Sequence, residues 1–181
     1  MRTSKHPFFF LAVLVAMAAL PALGQRASDK PRPSPNATIS QTIGVAEVTV
    51  SYGRPGVKGR KIWGGLVPYS KVWRTGANEP TTISFSKDVT IEGQNLSAGI
   101  YAFFTIPNEN EWTIIFNKTA KQWGAFNYDA GQDALRVKVK PQAADHEEWM
   151  SFSFTDLSAN SATVVLRWEK LAVPFKIQVA Q

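Results

Sequence analysis

Apolar and polar residues alternate along most of this chain with a period of two. In "VAEVTVSY", Ala46, Val48, Val50 and Tyr52 fall on one face. "EWTIIFNK" places Trp112, Ile114 and Phe116 in line, "ALRVKVK" sets Leu135, Val137 and Val139 against cations, and "WMSFSFTD" aligns Met150, Phe152 and Phe154. "TTISFS", "DVTIEG" and "ATVVLRWEK" alternate in the same way, and "VPFKIQV" aligns Val173, Phe175, Ile177 and Val179. "GIYAFFTI" is apolar on both faces and predicts a central strand. This period is the signature of half-buried β-strands, and Gly, Asn and Pro in "EGQN", "SAG", "PNEN" and "SAN" supply turns between them. "EGQNLSAGIY" is expected to join two neighbouring strands, and short helical turns are expected at Lys61–Val67 and Ala143–Glu148. No long 3.6-residue apolar period appears. The chain is therefore predicted to be all-β, an antiparallel β-sandwich of jelly-roll type.

The N-terminus has a different grammar. Arg2 and Lys5 precede an apolar run from Phe8 to Leu20, then Pro21 and the small-residue pattern Ala22-Leu23-Gly24. Basic end, short apolar middle and small residues make a secretory signal peptide over 1–24, and the run is too short for the ~20 apolar residues of a membrane span. Residues 25–37 carry three prolines within five residues and read as a polar, extended linker, leaving 38–181 as one domain. The expected address is periplasmic or secreted, with no membrane insertion after the signal is removed. There is no cysteine, hence neither a disulfide framework nor a lipidation site.

Loss of Arg2 and Lys5 with the signal lowers the formal charge from +6 to +4. The remaining cations are scattered, so nucleic acid is not an expected partner. Only His146 remains after the signal, in what reads as an acidic loop, "AADHEEWM". One histidine and no thiol supply neither a histidine-paired metal site nor a cysteine nucleophile, and no cofactor motif is present.

The concentrated polar chemistry lies between Tyr52 and Glu79, "YGRPGVKGRKIWGGLVPYSKVWRTGANE". Guanidinium groups donate in pairs to carboxylate or phosphate, and indoles give flat walls for rings or cations. Arg54, Arg60, Trp63, Trp73, Arg74, Asn78 and Glu79, with Trp123 from a second connection, are the candidate ligand-binding residues. The other side of the question stays open: Arg74 and Glu79 pair across a turn with Gly76 at its left-handed position, Asn78 caps backbone amides, and Trp63 and Trp73 plug the sandwich. The second connection, "FNKTAKQWGAFNYD", combines Asn117, Lys118, Trp123, Asn127, Tyr128 and Asp129, as cleft or as packed hairpin tip.

These runs, with "SATVVLRWEKLAVPFKIQV", make the chain resemble the bacterial family catalogued as domain of unknown function 2911, over about Ile39 to Val179. The resemblance implies an exported β-domain and carries no catalytic residues. Three functions follow as expectations. The first is a binding module for a small polar ligand, carbohydrate or anion, at the cationic aromatic corner. The second is a carboxylate-dependent, glycosidase-like hydrolase using Glu79 with Asp129, Asp133 or Glu147. The third is an envelope-interaction protein without a small ligand.

Overall fold

The structure is a computed structural model that describes residues 31–179; the expected signal peptide and residues 25–30 of the expected linker lie outside the described residues. From Pro31 onward the chain forms one compact unit. It has ten strands: β1 (Asn36–Ile43), β2 (Ala46–Gly53), β3 (Thr81–Phe85), β4 (Val89–Ile91), β5 (Gln94–Leu96), β6 (Gly99–Ile106), β7 (Trp112–Asn117), β8 (Asp133–Val139), β9 (Gln142–Thr155) and β10 (Ser161–Val179). All pair antiparallel, in a six-stranded sheet ordered β1-β2-β3-β6-β7-β8 and a four-stranded sheet ordered β5-β4-β10-β9. The fold is the β-sandwich that the period-two pattern predicts. Among the described residues no helix is long and apolar enough to cross a membrane.

The inward faces are those read from the alternation. Val48, Val50, Ile83, Phe103, Trp112, Ile114, Phe116 and Val137 of the large sheet meet Met150, Phe152, Val164, Leu166, Phe175 and Ile177 of the small one, all buried. Such burial is the main stabilising term, at roughly 1.5–3 kcal/mol per large side chain. β6 is buried on its outer face too: Ala102, Phe104 and Ile115 form a second cluster beneath Val72, Ala125 and Tyr128.

Five local readings are corrected. β1 carries too little apolar alternation to stand out in the sequence, and it begins at Asn36, inside the expected linker. "EGQNLSAGIY" does not join neighbours: β5 turns back on β4, and β6 then starts in the other sheet. Ala143–Glu148 is strand, and His146 lies exposed on β9 rather than in a loop; Ala143 and Glu147 pair with Leu171 and Glu169 across an arm solvated on most sides, which erases the apolar alternation. Lys61–Val67 is a knot of turns, with Gly64 left-handed at φ 70° and the amides of Leu66 and Val67 donating to Lys61 O and Ile62 O. Finally, "ATVVLRWEK" and "VPFKIQV" are one strand, β10. Its inward residues are even-numbered through Trp168 and odd-numbered from Leu171, because the register slips around Glu169, whose φ is +56°. A break in register changes which side chains face inward, and here it sits immediately beyond Trp168.

Candidate functional site

The β2–β3 connection arrives at β6 twice. Trp73 first pairs with Thr105, by Trp73 N donating to Thr105 O at 2.8 Å and Thr105 N to Trp73 O at 3.0 Å. The chain then loops out through Arg74–Pro80 and returns as β3, Thr81 N donating to Arg74 O at 3.1 Å. The loop is pinned from inside. Thr75 holds a left-handed φ of 52°, rare for a β-branched residue. Its hydroxyl meets Thr105 Oγ1 at 3.0 Å, and its carbonyl accepts from Thr81 Oγ1 at 2.6 Å. Two glycines let it sit flush on β2: a Cβ on Gly53 would stand 2.3 Å from Ala77 O, and one on Gly76 would stand 3.0 Å from Gly53 O. The left-handed residues are Thr75 and Asn78, so Gly76 is needed for close approach rather than as the turn position expected.

Beside this loop four indoles gather. Trp63 meets Trp73, Trp112 and Trp168 edge-on at 6.0, 5.0 and 5.7 Å, and Trp73 stacks on Trp168 at 5.8 Å and 17°. Trp73 comes from the outgoing loop, Trp112 from β7 in one sheet and Trp168 from β10 in the other, so the cluster ties both layers together. Buried indole N–H groups ordinarily find an acceptor. Those of Trp63, Trp112 and Trp168 have none among the described residues.

Next to the cluster is a recess of about 350 Å³, lined by Ser34, Pro55, Arg60, Leu66, Val67, Trp73, Arg74, Gly76, Ala77, Asn78 and Trp168. Arg74 is its central polar group. The Nε is buried and has no acceptor among the described residues, and burial lowers the guanidinium from its ordinary value. It remains cationic at physiological pH, since an arginine does not deprotonate in a protein. Arg60 donates from Nε to Val57 O at 3.0 Å and from Nη2 to Gly56 O at 2.6 Å. Asn78 Nδ2 donates to Ser34 O at 3.3 Å rather than capping its own turn.

The remaining candidate residues stand elsewhere. Glu79 does not pair with Arg74: Arg32 grips both its oxygens, at 2.7 and 3.1 Å, and draws its pKa below the ordinary glutamate value. Arg54 is spent on the free edge of β9, with Nε donating to Met150 O at 2.8 Å. The same edge is covered by Val57 N to Glu148 O, Met150 N to Pro55 O, and Phe152 N to the Tyr52 hydroxyl, which blunts an exposed template for strand addition. Trp63 belongs to the indole cluster. Trp123, 57% exposed, sits in the β7–β8 connection and is not among the recess-lining residues. Trp168 and Ser34 line the recess without having been singled out in the sequence; the first reads as an ordinary inward strand residue, the second as linker.

In the β7–β8 connection the polar groups answer one another. Asn117 Nδ2 donates to Asp129 O at 2.9 Å and to Asp133 Oδ1 at 2.7 Å. Tyr128 and Arg136 both donate to Asp133 Oδ2, at 2.6 and 2.7 Å. Burial, then the bond to Asp133, pushes the Tyr128 phenol up to about 12. The acids proposed for hydrolysis are engaged too: Glu79 by Arg32, Asp133 in this network, Asp129 by Gly131 N and Glu147 by Ser151. Among the described residues no carboxylate lines the recess.

Larger recesses of about 450 and 510 Å³ lie along β8, and one of about 390 Å³ lies at β4 and β5. Those along β8 are lined largely by exposed long chains, and Lys138 there pairs with Glu111 at 2.7 Å. The small recess, with its buried unpartnered donor and indole wall, is the better candidate. Among the described residues no cluster of His, Asp and Glu could hold a metal ion.

The fold and recess describe an all-β domain with an aromatic, cationic hollow. The chain belongs to the family described as protein of unknown function (DUF2911), which it matches over residues 34–177. No curated protein and no solved structure matches it.

Proposed function

We propose that this protein is an exported binding module that holds a small polar ligand, carbohydrate or anion, in the recess between Arg74 and Trp168. One observation carries the reading: the Arg74 Nε is buried without a protein acceptor, although a carboxylate, Glu79, lies five residues away and is given to Arg32 instead. A buried unsatisfied donor costs about 1–3 kcal/mol, and uncompensated costs of this kind are tolerated where binding repays them. Export rests on the N-terminal signal, a reading of residues outside the described part. The test is calorimetric titration of the purified protein with monosaccharides and small organic anions. Saturable binding that Arg74→Met abolishes is expected. Absence of any such ligand, or binding indifferent to Arg74, overturns the reading.

A further inference from the structure

Resting on that reading, we infer that the ligand is an anion: a carboxylate carried on a single cyclic body, with the acid at Arg74 and the ring against Trp73. The argument comes from the balance of donors and acceptors. A sugar hydroxyl both donates and accepts, whereas a carboxylate only accepts. Two guanidinium side chains, Arg74 and Arg60, line the recess, and the Arg74 Nε is buried without an acceptor among the described residues. The side-chain acceptors in its lining are neutral, the Asn78 amide oxygen and the Ser34 hydroxyl. A neutral polyol would leave the half-buried Arg74 cation uncompensated, and an oxyanion compensates it.

Size and wall chemistry supply the rest. A volume of about 350 Å³ lies near the lower end of the roughly 300–1,000 Å³ typical of ligand pockets, room for one ring and its substituents. Trp73, half-buried, and Leu66, 48% exposed, give the recess its accessible apolar lining, while Trp168 and Val67 are almost wholly buried. An acid lacking a ring uses only half of this surface.

The experiment titrates the protein calorimetrically with three probes and their counterparts: benzoate against benzamide, glucuronate against glucose, and acetate as an acid without a ring. The expected result is that at least one cyclic acid binds about 10-fold or more tighter than its neutral counterpart, the scale of a charge-assisted hydrogen bond. Acetate binds more weakly than that acid, Arg74→Met erases the preference, and Arg74→Lys keeps part of it. If glucose or benzamide binds as tightly as its acid and Arg74→Met still abolishes it, the anion inference falls and the binding module stands. If acetate matches the cyclic acids, the ring requirement falls. If none of the probes binds, in a protein that circular dichroism shows to be folded, the anion inference falls for these acids, and the wider ligand titration decides the binding module separately.

Discussion

The β2–β3 and β7–β8 connections draw on one palette, amides, cations and aromatic rings, and use it in opposite ways. Around Asp133 the charges close on themselves: Asn117, Tyr128 and Arg136 all reach one carboxylate, and Gln122 Oε1 is the one buried side-chain atom there without a partner. Around Arg74 they do not close, since the guanidinium Nε and three neighbouring indole N–H groups lack acceptors. A satisfied polar network fixes a loop, whereas an unsatisfied one is a standing cost that folding alone does not explain. On the proposed reading the first connection serves recognition, while the second holds Phe104 and Ile115 under cover, Tyr128 meeting Phe104 edge-on at 5.1 Å.

The largest effect is expected in the closed network. Asp133→Ala strips the acceptor from three donors at once and should cost about 2–4 kcal/mol in denaturant unfolding; a loss under about 1 kcal/mol would remove the contrast. Gly53→Ala comes next, because its new methyl overlaps Ala77 O and the Arg74–Pro80 loop must move. A cost of about 1–3 kcal/mol is expected, together with weakened ligand binding, and binding unchanged in that variant would disconnect the loop from the recess. The alkaline limb gives a smaller effect. Because the Tyr128 phenol titrates near 12 in the folded protein and near 10 unfolded, stability should fall as pH rises from about 10 towards 12. Tyr128→Phe should flatten that limb in pH-dependent unfolding. The smallest belongs to the exposed Arg32–Glu79 pair. The Glu79 carboxyl sits below its ordinary value, so its contribution is present above the unfolded glutamate pKa and is lost as pH falls through the folded one. Glu79→Gln should trim only that acid limb.

Much of the fold was legible, because alternation reports directly which side of a strand meets the core. Val48, Ile114, Phe152 and Phe175 were all placed inward by period alone. It failed where that link breaks: at β1, an edge strand of mostly polar residues; at the solvated arm of β9; and at Glu169, where the register with β9 slips and the inward face of β10 changes parity. In the candidate site, the residue types and their segment could be read, and Arg60, Trp73, Arg74 and Asn78 do share the recess. Which charges cancel could not. Pairing depends on three-dimensional neighbours, and Glu79 found its partner 47 residues away in Arg32, while Trp168 reached the recess from the opposite sheet.

The central claim is that Arg74 is held for a ligand and not for the fold, and equilibrium unfolding of Arg74→Met without ligand tests it most directly. Removing an unsatisfied buried donor while keeping a flexible apolar chain should leave stability unchanged or raise it by about 1 kcal/mol. A loss of more than about 1 kcal/mol would make Arg74 a structural brace and contradict the account.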